Sequence, residues 1–302
     1  MSARILFIIN PAAGAGRGLE RWRRLEAQAQ QLGIQPDHRL TAKPGEARQW
    51  AAQAAQAYEL IAAVGGDGTA MDVANGILSC PEPRAALAVL PVGTGNDLAA
   101  NLGCNGQLKI LLPGQGRVRA VDVLEVKCQA GQEQVTHHAL VLAGVGLLGE
   151  CLRRTNPTVK RVFGSRLAYS AGVAWALCRW RPTRLCVTIG DQVFENRFLL
   201  ASASNGERAG GGMRLAPGAL MDDGLLNVTL VEAVGRLEAL RQLAAVRRGT
   251  HIHHPSVRCF MATSLRVESE RPSLVAADGE ILGHTPVSIQ LLPRKLSVLI
   301  PA

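Results

Sequence analysis

Five residues, Gly65-Gly66-Asp67-Gly68-Thr69, hold the densest chemistry in the chain, directly after the apolar run Leu60-Ile61-Ala62-Ala63-Val64. Glycines at a strand end let the backbone come close to a bound group. The N–H groups that lead into a following helix favour phosphate, and a carboxylate among them suits a hard divalent cation. A tight turn in which Asp67 merely caps a helix would use the same residues. A second loop of the same kind, Pro91-Val92-Gly93-Thr94-Gly95-Asn96-Asp97, favours the phosphate reading, since it again joins a strand to a helix and again carries an acid and a threonine. Together the loops imply a phosphate-plus-metal site. Asp67 and Asp97 would hold Mg2+, directly or through water, while Thr69, Thr94, Asn96 and the N–H groups of Gly65, Gly66 and Gly68 face phosphate oxygens. Asn96-Asp97 also suits the N-cap of the next helix. No Gly-Lys-Ser/Thr follows the glycines, so this is not a Walker A loop.

The elements that must position these loops are legible from periodicity. Residues 4 to 9 read as a buried parallel strand, followed by the glycine turn Asn10 to Gly18. Leu19, Trp22, Leu25, Ala29 and Leu32 recur at helical spacing, and Gly33 ends that helix. A second strand runs to about Leu40, Pro44-Gly45-Glu46 opens a helix through Tyr58, and the strands Leu60 to Val64 and Leu87 to Leu90 follow. This alternation predicts an α/β fold with a doubly wound parallel sheet over residues 1–123. From 124 to 302 the rhythm changes to short strands separated by turn residues, which predicts a second, mainly antiparallel β-rich domain. Ala139 to Ala143, Ser273 to Ala276 and Leu296 to Ile300 are among those strands. Ser165 to Trp180 and Gly235 to Arg248 read as helices between them.

In 302 residues, 47% hydrophobic and 19% charged, there is room for two globular domains. The opening apolar run is too short for a signal peptide and no uncharged stretch spans a bilayer, so a cytoplasmic protein is expected. Seven scattered cysteines without a C-x-x-C pair suggest neither zinc nor disulfides. The net charge of +9 asks for an anionic partner. Aromatics at 4% leave little for base stacking, which argues against nucleic acid.

The pair of motifs, GGDGT and P-x-GTGND, resembles the diacylglycerol kinase catalytic family, which includes bacterial lipid kinases and the sphingosine and ceramide kinases. The likeness extends through Asn10-Pro11 with Gly14 and Gly16, Asn205-Gly206 with Gly210-Gly211-Gly212, Met221-Asp222-Asp223-Gly224-Leu225-Leu226 and Asp278-Gly279-Glu280. GGDGT alone also occurs in NAD kinases, but the whole series is far more specific. The resemblance implies an ATP-dependent kinase that phosphorylates a lipid hydroxyl, diacylglycerol- or phosphatidylglycerol-like, in the cleft between two domains. It implies Thr41 on the nucleotide side, with Ala70 and Met71 continuing the nucleotide-binding segment. Here the sequence departs from the family, which usually has Asn where Met71 stands, and a thioether cannot make an amide's hydrogen bonds. The resemblance further implies Glu280 as the proton acceptor, although Asp-Gly-Glu by itself reads as a hairpin turn. It also implies a structural Mg2+ on the Asp223 side chain and the carbonyls of Leu220 and Leu225. The alternatives are an NAD kinase-like enzyme acting on a soluble nucleotide, or a catalytically silent nucleotide- or lipid-binding regulator.

Two further segments invite function. His251-Ile252-His253-His254 reads as a solvated turn, since no cysteine or acid lies near in sequence to complete a metal site. Residues 166 to 181, with Trp175 and Trp180 flanked by arginines, read equally as a core helix or as an interfacial one. The latter would give reversible peripheral contact with anionic membrane. Nothing in the sequence sets the oligomeric state.

Overall fold

In the computed structural model, residues 4–35, 37–154, 176–177 and 182–302 are described. The helix expected over 165–180, with Trp175 and Trp180, lies outside them apart from residues 176–177. The chain forms two compact units, one of residues 1–121 with 294–302 and one of residues 122–293.

The first unit is built on parallel strands. β1 (Ile5–Ile9) pairs with β2 (Asp37–Leu40) on one side and β3 (Leu60–Gly65) on the other, and β3 pairs with β4 (Ala86–Pro91). β1 and β3 are buried along their whole length, which is what unbroken apolar runs covered on both faces require. β2 is exposed, as a short edge strand can be. Helix α1 (Gly18–Gln31) turns Trp22 and Ala29 onto one face of the sheet, where the Trp22 ring lies 5.2 Å from Phe7. Helices α2 (Glu46–Ala54) and α3 (Asp67–Leu78) pack closely where a Cβ on Gly76 would come within 2.6 Å of Ala51 Cβ. α2 is shorter than the helix expected through Tyr58, because Ala57 and Tyr58 turn back onto the Ala54 carbonyl. A short α4 (Asp97–Asn101) follows β4.

One expectation is corrected here. Residues 294–302, assigned by sequence to the second domain, belong to the first unit: Val298 and Leu299 pair in parallel with Leu87 and Ala88. An isolated apolar run at the chain end shows its strand character but not its partner.

The second unit is antiparallel and β-rich. Its strands are the end of β5 (Gly116–Ala130), β6 (Glu133–Ala139), β7 (Leu142–Gly146), β8 (Thr183–Ile189) and β9 (Gln192–Ser204), then a two-residue ribbon of β10 (Arg208–Ala209) and β11 (Met213–Arg214). There follow β12 (Leu226–Glu232), β13 (Val257–Ala262), β14 (Ser264–Ser269), β15 (Leu274–Ala277) and β16 (Glu280–Pro301). β9 changes neighbour midway: residues 192–198 pair with β8 and residues 200–204 with β7. Followed from β9 through β8, β14, β16, β15 and β7, the hydrogen bonds return to β9, so the strands enclose a core. Alternate residues fill it, such as Leu185, Val187 and Ile189 or Leu226, Val228 and Leu230. The strand expected at Ala139 to Ala143 is the junction of β6 and β7, and β13 was not anticipated. Among the described residues, the α-helices α5 (Leu147–Arg154) and α6 (Arg236–Arg248) accompany the sheets.

Candidate active site

Three glycine-bearing turns gather at the carboxyl ends of the first unit's parallel strands, where open α/β sheets bind ligands. β3 runs straight into Gly65, Gly66 has an extended backbone, and α3 starts at Asp67. Both Val92 and Gly93 donate from their backbone N–H to the Gly65 carbonyl, at 2.8 and 3.1 Å. A Cβ on Gly93 would stand 2.5 Å from Gly66 Cα, so the two loops touch backbone to backbone and only glycine permits it. Gly14, at φ 61, meets the same place: its Cβ would lie 2.5 Å from the Val92 carbonyl oxygen, which accepts a hydrogen bond from the Arg21 guanidinium. Asn10 joins the first turn to the second by donating to Thr69 Oγ1 at 3.2 Å.

The predicted site residues of this unit divide by what they touch. Asp67 Oδ1 accepts the Leu98 N–H at 3.0 Å, so its carboxylate caps α4 across the gap between loops. Asn96, at φ 57 in the N-cap position, makes no cap bond of its own, and its amide donates instead to the Gly93 carbonyl. The expectation that Asn96 caps this helix is thereby corrected. Asn96 Oδ1 is buried with no hydrogen-bond partner among the described residues. Asp97 begins α4 and, like Asp67, is half-buried at the loop cluster, whereas Gly68 and Thr94 are exposed. Thr69 is buried and holds the turns together. Ala70 and Met71 turn inward, at 3% and 9% exposed, so the Met71 side chain packs in the core and presents no group to the loop surface. Thr41 Oγ1 donates to the Ile9 carbonyl at 3.2 Å, and the adjoining turn is tied by Glu46, which accepts the N–H groups of Ala42 and Lys43. Those two bonds hold the Glu46 carboxyl below its usual range.

In the second unit the Asp278-Gly279 turn has φ 43 and 91 and links Ala277 to its partner Glu280, a two-residue hairpin. The Asp278 carboxylate receives the N–H groups of Leu140 at 2.6 Å, Val141 at 3.2 Å and Leu142 at 2.9 Å, which breaks β6 from β7. Glu280 is exposed at the start of β16. Asp223 is exposed and forms a local turn by accepting the Leu225 N–H at 3.0 Å, while the Leu220 side chain is also exposed. Sequence reasoning missed Asp122. Fully buried, it accepts the Gly224 N–H at 2.8 Å, donates its own N–H to the Met221 carbonyl, and offers its carbonyl to the Asn205 amide. An acid within the apolar run Val121 to Leu124 was the signal.

The histidine segment needs correction too. His253 is exposed as expected, but His251 is buried, and His254 accepts the Ser256 N–H and faces Glu238 at 3.4 Å. Among the described residues no three His, Cys, Asp or Glu side chains gather as a metal cluster. No helix among them is long and apolar enough to cross a membrane. This unit also contains a cavity with an almost wholly apolar lining, including Leu142, Leu147, Cys151, Leu199, Leu243 and Val246. Burial pushes the Cys151 thiol up to about 12, with a smaller contribution from Glu150.

Comparison with known proteins covers both units. Residues 4–126 match the diacylglycerol kinase catalytic domain, and residues 141–300 match the YegS C-terminal NAD kinase beta sandwich-like domain. A probable lipid kinase YegS-like from Stenotrophomonas maltophilia (strain K279a) is 31% identical over 89% of this chain and 88% of its own length. The diacylglycerol kinase of Bacillus subtilis (strain 168) is 27% identical over 99% of this chain and 96% of its own. A crystal structure from Bacillus anthracis str. Sterne, of a protein assigned as a diacylglycerol kinase, superposes with a TM-score of 0.80 at 26% identity, covering 99% and 95% of the two chains.

Proposed function

The chain belongs to the lipid kinase family that joins a diacylglycerol kinase catalytic domain to a YegS-type C-terminal domain, and we propose that its substrate is a diacylglycerol- or phosphatidylglycerol-like lipid. The family implies ATP as phosphate donor. The observation that carries the lipid is the apolar cavity of the second unit. A soluble nucleotide would need polar groups on such a wall, whereas an acyl chain gains from contact with Leu142, Leu147 and Leu199 alone.

The loops of the first unit suit phosphate: a Cβ would fill the cradle at Gly93, and backbone N–H groups lead into α3 and α4. The residues also fit Mg2+. Asp67 and Asp97 supply carboxylate oxygens, and Asn96 Oδ1 is a buried acceptor lacking a described partner. Bound there, the cation would neutralise charge on the β- and γ-phosphates. Thr94 and the glycine N–H groups orient the phosphoryl oxygens, and Asn10 and Thr69 keep the turns in place. Glu280 accepts the proton as the lipid oxygen bonds to the γ-phosphorus and the bond to the departing ADP oxygen breaks. For Asp223, Leu220 and Leu225, the all-oxygen donor set suits a structural Mg2+.

The test is label transfer from γ-labelled ATP with Mg2+ to detergent-dispersed diacylglycerol, phosphatidylglycerol or soluble NAD. Label in the extracted lipid is expected. Label on NAD and none in lipid would replace the reading with the nucleotide-kinase one.

A further inference from the structure

His251 is 4% exposed, and neither of its ring nitrogens has a hydrogen-bond partner among the described residues. A buried polar group in that state is costly, and its position invites an explanation. The imidazole lines the apolar cavity of the second unit. The other polar side chains on that lining are already engaged. Ser202 donates to the Thr229 carbonyl at 3.5 Å, Gln242 donates to Glu238 at 2.8 Å, and His254 accepts from Ser256 at 3.2 Å. Thr229 itself is hydrogen-bonded with Cys259. His251 therefore brings unspent hydrogen-bonding capacity to an otherwise apolar wall.

Burial lowers the tendency of His251 to ionise, and the neighbouring Leu215 backbone opposes this. The neutral ring offers one N–H donor and one acceptor nitrogen. A ligand suited to this cavity is mostly hydrocarbon with a single oxygen acceptor set into it. On a glycerolipid, that acceptor is the ester carbonyl, which joins directly to the chain.

We propose that His251 is the polar anchor of the cavity, donating its ring N–H to an ester carbonyl of the lipid and so selecting acyl-linked over ether-linked substrates. The proposal rests on the lipid reading above and adds a specificity residue to it. One buried hydrogen bond corresponds to about a tenfold difference in affinity.

Steady-state kinetics with 1,2-dioctanoylglycerol and its diether counterpart 1,2-dioctylglycerol test the proposal. In the wild type, KM for the ester is expected about tenfold below that for the ether, with similar kcat. His251→Leu should erase the difference by raising the ester's KM, and His251→Gln, which keeps a donor and an acceptor, should retain part of it. Equal KM values in the wild type would mean that water satisfies the ring, and an unchanged ratio in His251→Leu would mean that another group reads the carbonyl. Either result overturns the proposal. If the wild type phosphorylates neither lipid, the substrate reading fails and binding decides the anchor. The His251 ring 15N resonances, identified by their loss in His251→Leu, should shift with micellar dioctanoylglycerol and not with the diether. No shift with the ester overturns the anchor independently of turnover.

Discussion

Asp67 has two separable tasks, and two substitutions tell them apart. Its carboxylate accepts the Leu98 N–H at 3.0 Å, and the same residue opens α3, where negative charge faces the helix dipole. Asp67→Ala removes the acceptor and leaves an N–H at the start of α4 without its cap. The N-cap scale puts that loss at about 1–2 kcal/mol, which in a chain of this size lowers Tm by roughly 2–3 °C. Asp67→Asn keeps an amide oxygen at the same position, so the cap survives and Tm should fall by roughly 1 °C or less. Turnover should respond differently. If the charge serves phosphate transfer through Mg2+, both variants lose it by a factor of 100 or more, on the scale of roughly 3 kcal/mol or above in transition-state stabilisation. The assay is a thermal melt beside label transfer from ATP to lipid, for wild type and both variants. Near-normal turnover in Asp67→Asn would refute the metal role and leave Asp67 as a cap. An unchanged melt in Asp67→Ala would refute the cap.

Gly93→Ala should abolish turnover, because its Cβ would drive the two phosphate loops apart at Gly66. Gly76→Ala should instead lower stability with KM unchanged, since it meets Ala51 on α2, away from the loops; urea unfolding with parallel kinetics distinguishes them. Asp278→Asn should cost about 2–3 kcal/mol in the same unfolding assay, because an amide has one acceptor oxygen for three converging N–H groups. Asp223→Ala should abolish the rise in Tm that excess Mg2+ gives the wild type, and equal shifts in both would place the stabilising cation elsewhere.

What could be read from the sequence follows from the range over which each signal acts. The runs Ile5–Ile9 and Leu60–Gly65 announced buried parallel strands because burial on both faces demands unbroken apolar residues. The glycine loops were legible for a related reason: backbone approach leaves a local mark, and the contact between Gly66 and Gly93 requires glycine at Gly93. Long-range pairing leaves no such mark. Leu296 to Ile300 looks like a strand of whichever domain precedes it, and pairing with Leu87 and Ala88 decides its place. The same limit explains the polar side chains. Asp67 was visible as an acid beside phosphate-type glycines, but its bond to Leu98 joins loops 31 residues apart. Asp278 looked like a turn residue, and it is one, yet its carboxylate also closes the backbone of residues 140–142 from 136–138 positions away. His251 was misread as solvated for a simpler reason. Its neighbours His253 and His254 and the following Pro255 give a polar local pattern, while burial is imposed by elements distant in sequence that also line the cavity, from Leu142 to Leu199. Side chains with local partners were readable. Those whose partners arrive from another strand or loop became functional candidates only when the fold supplied what they touch.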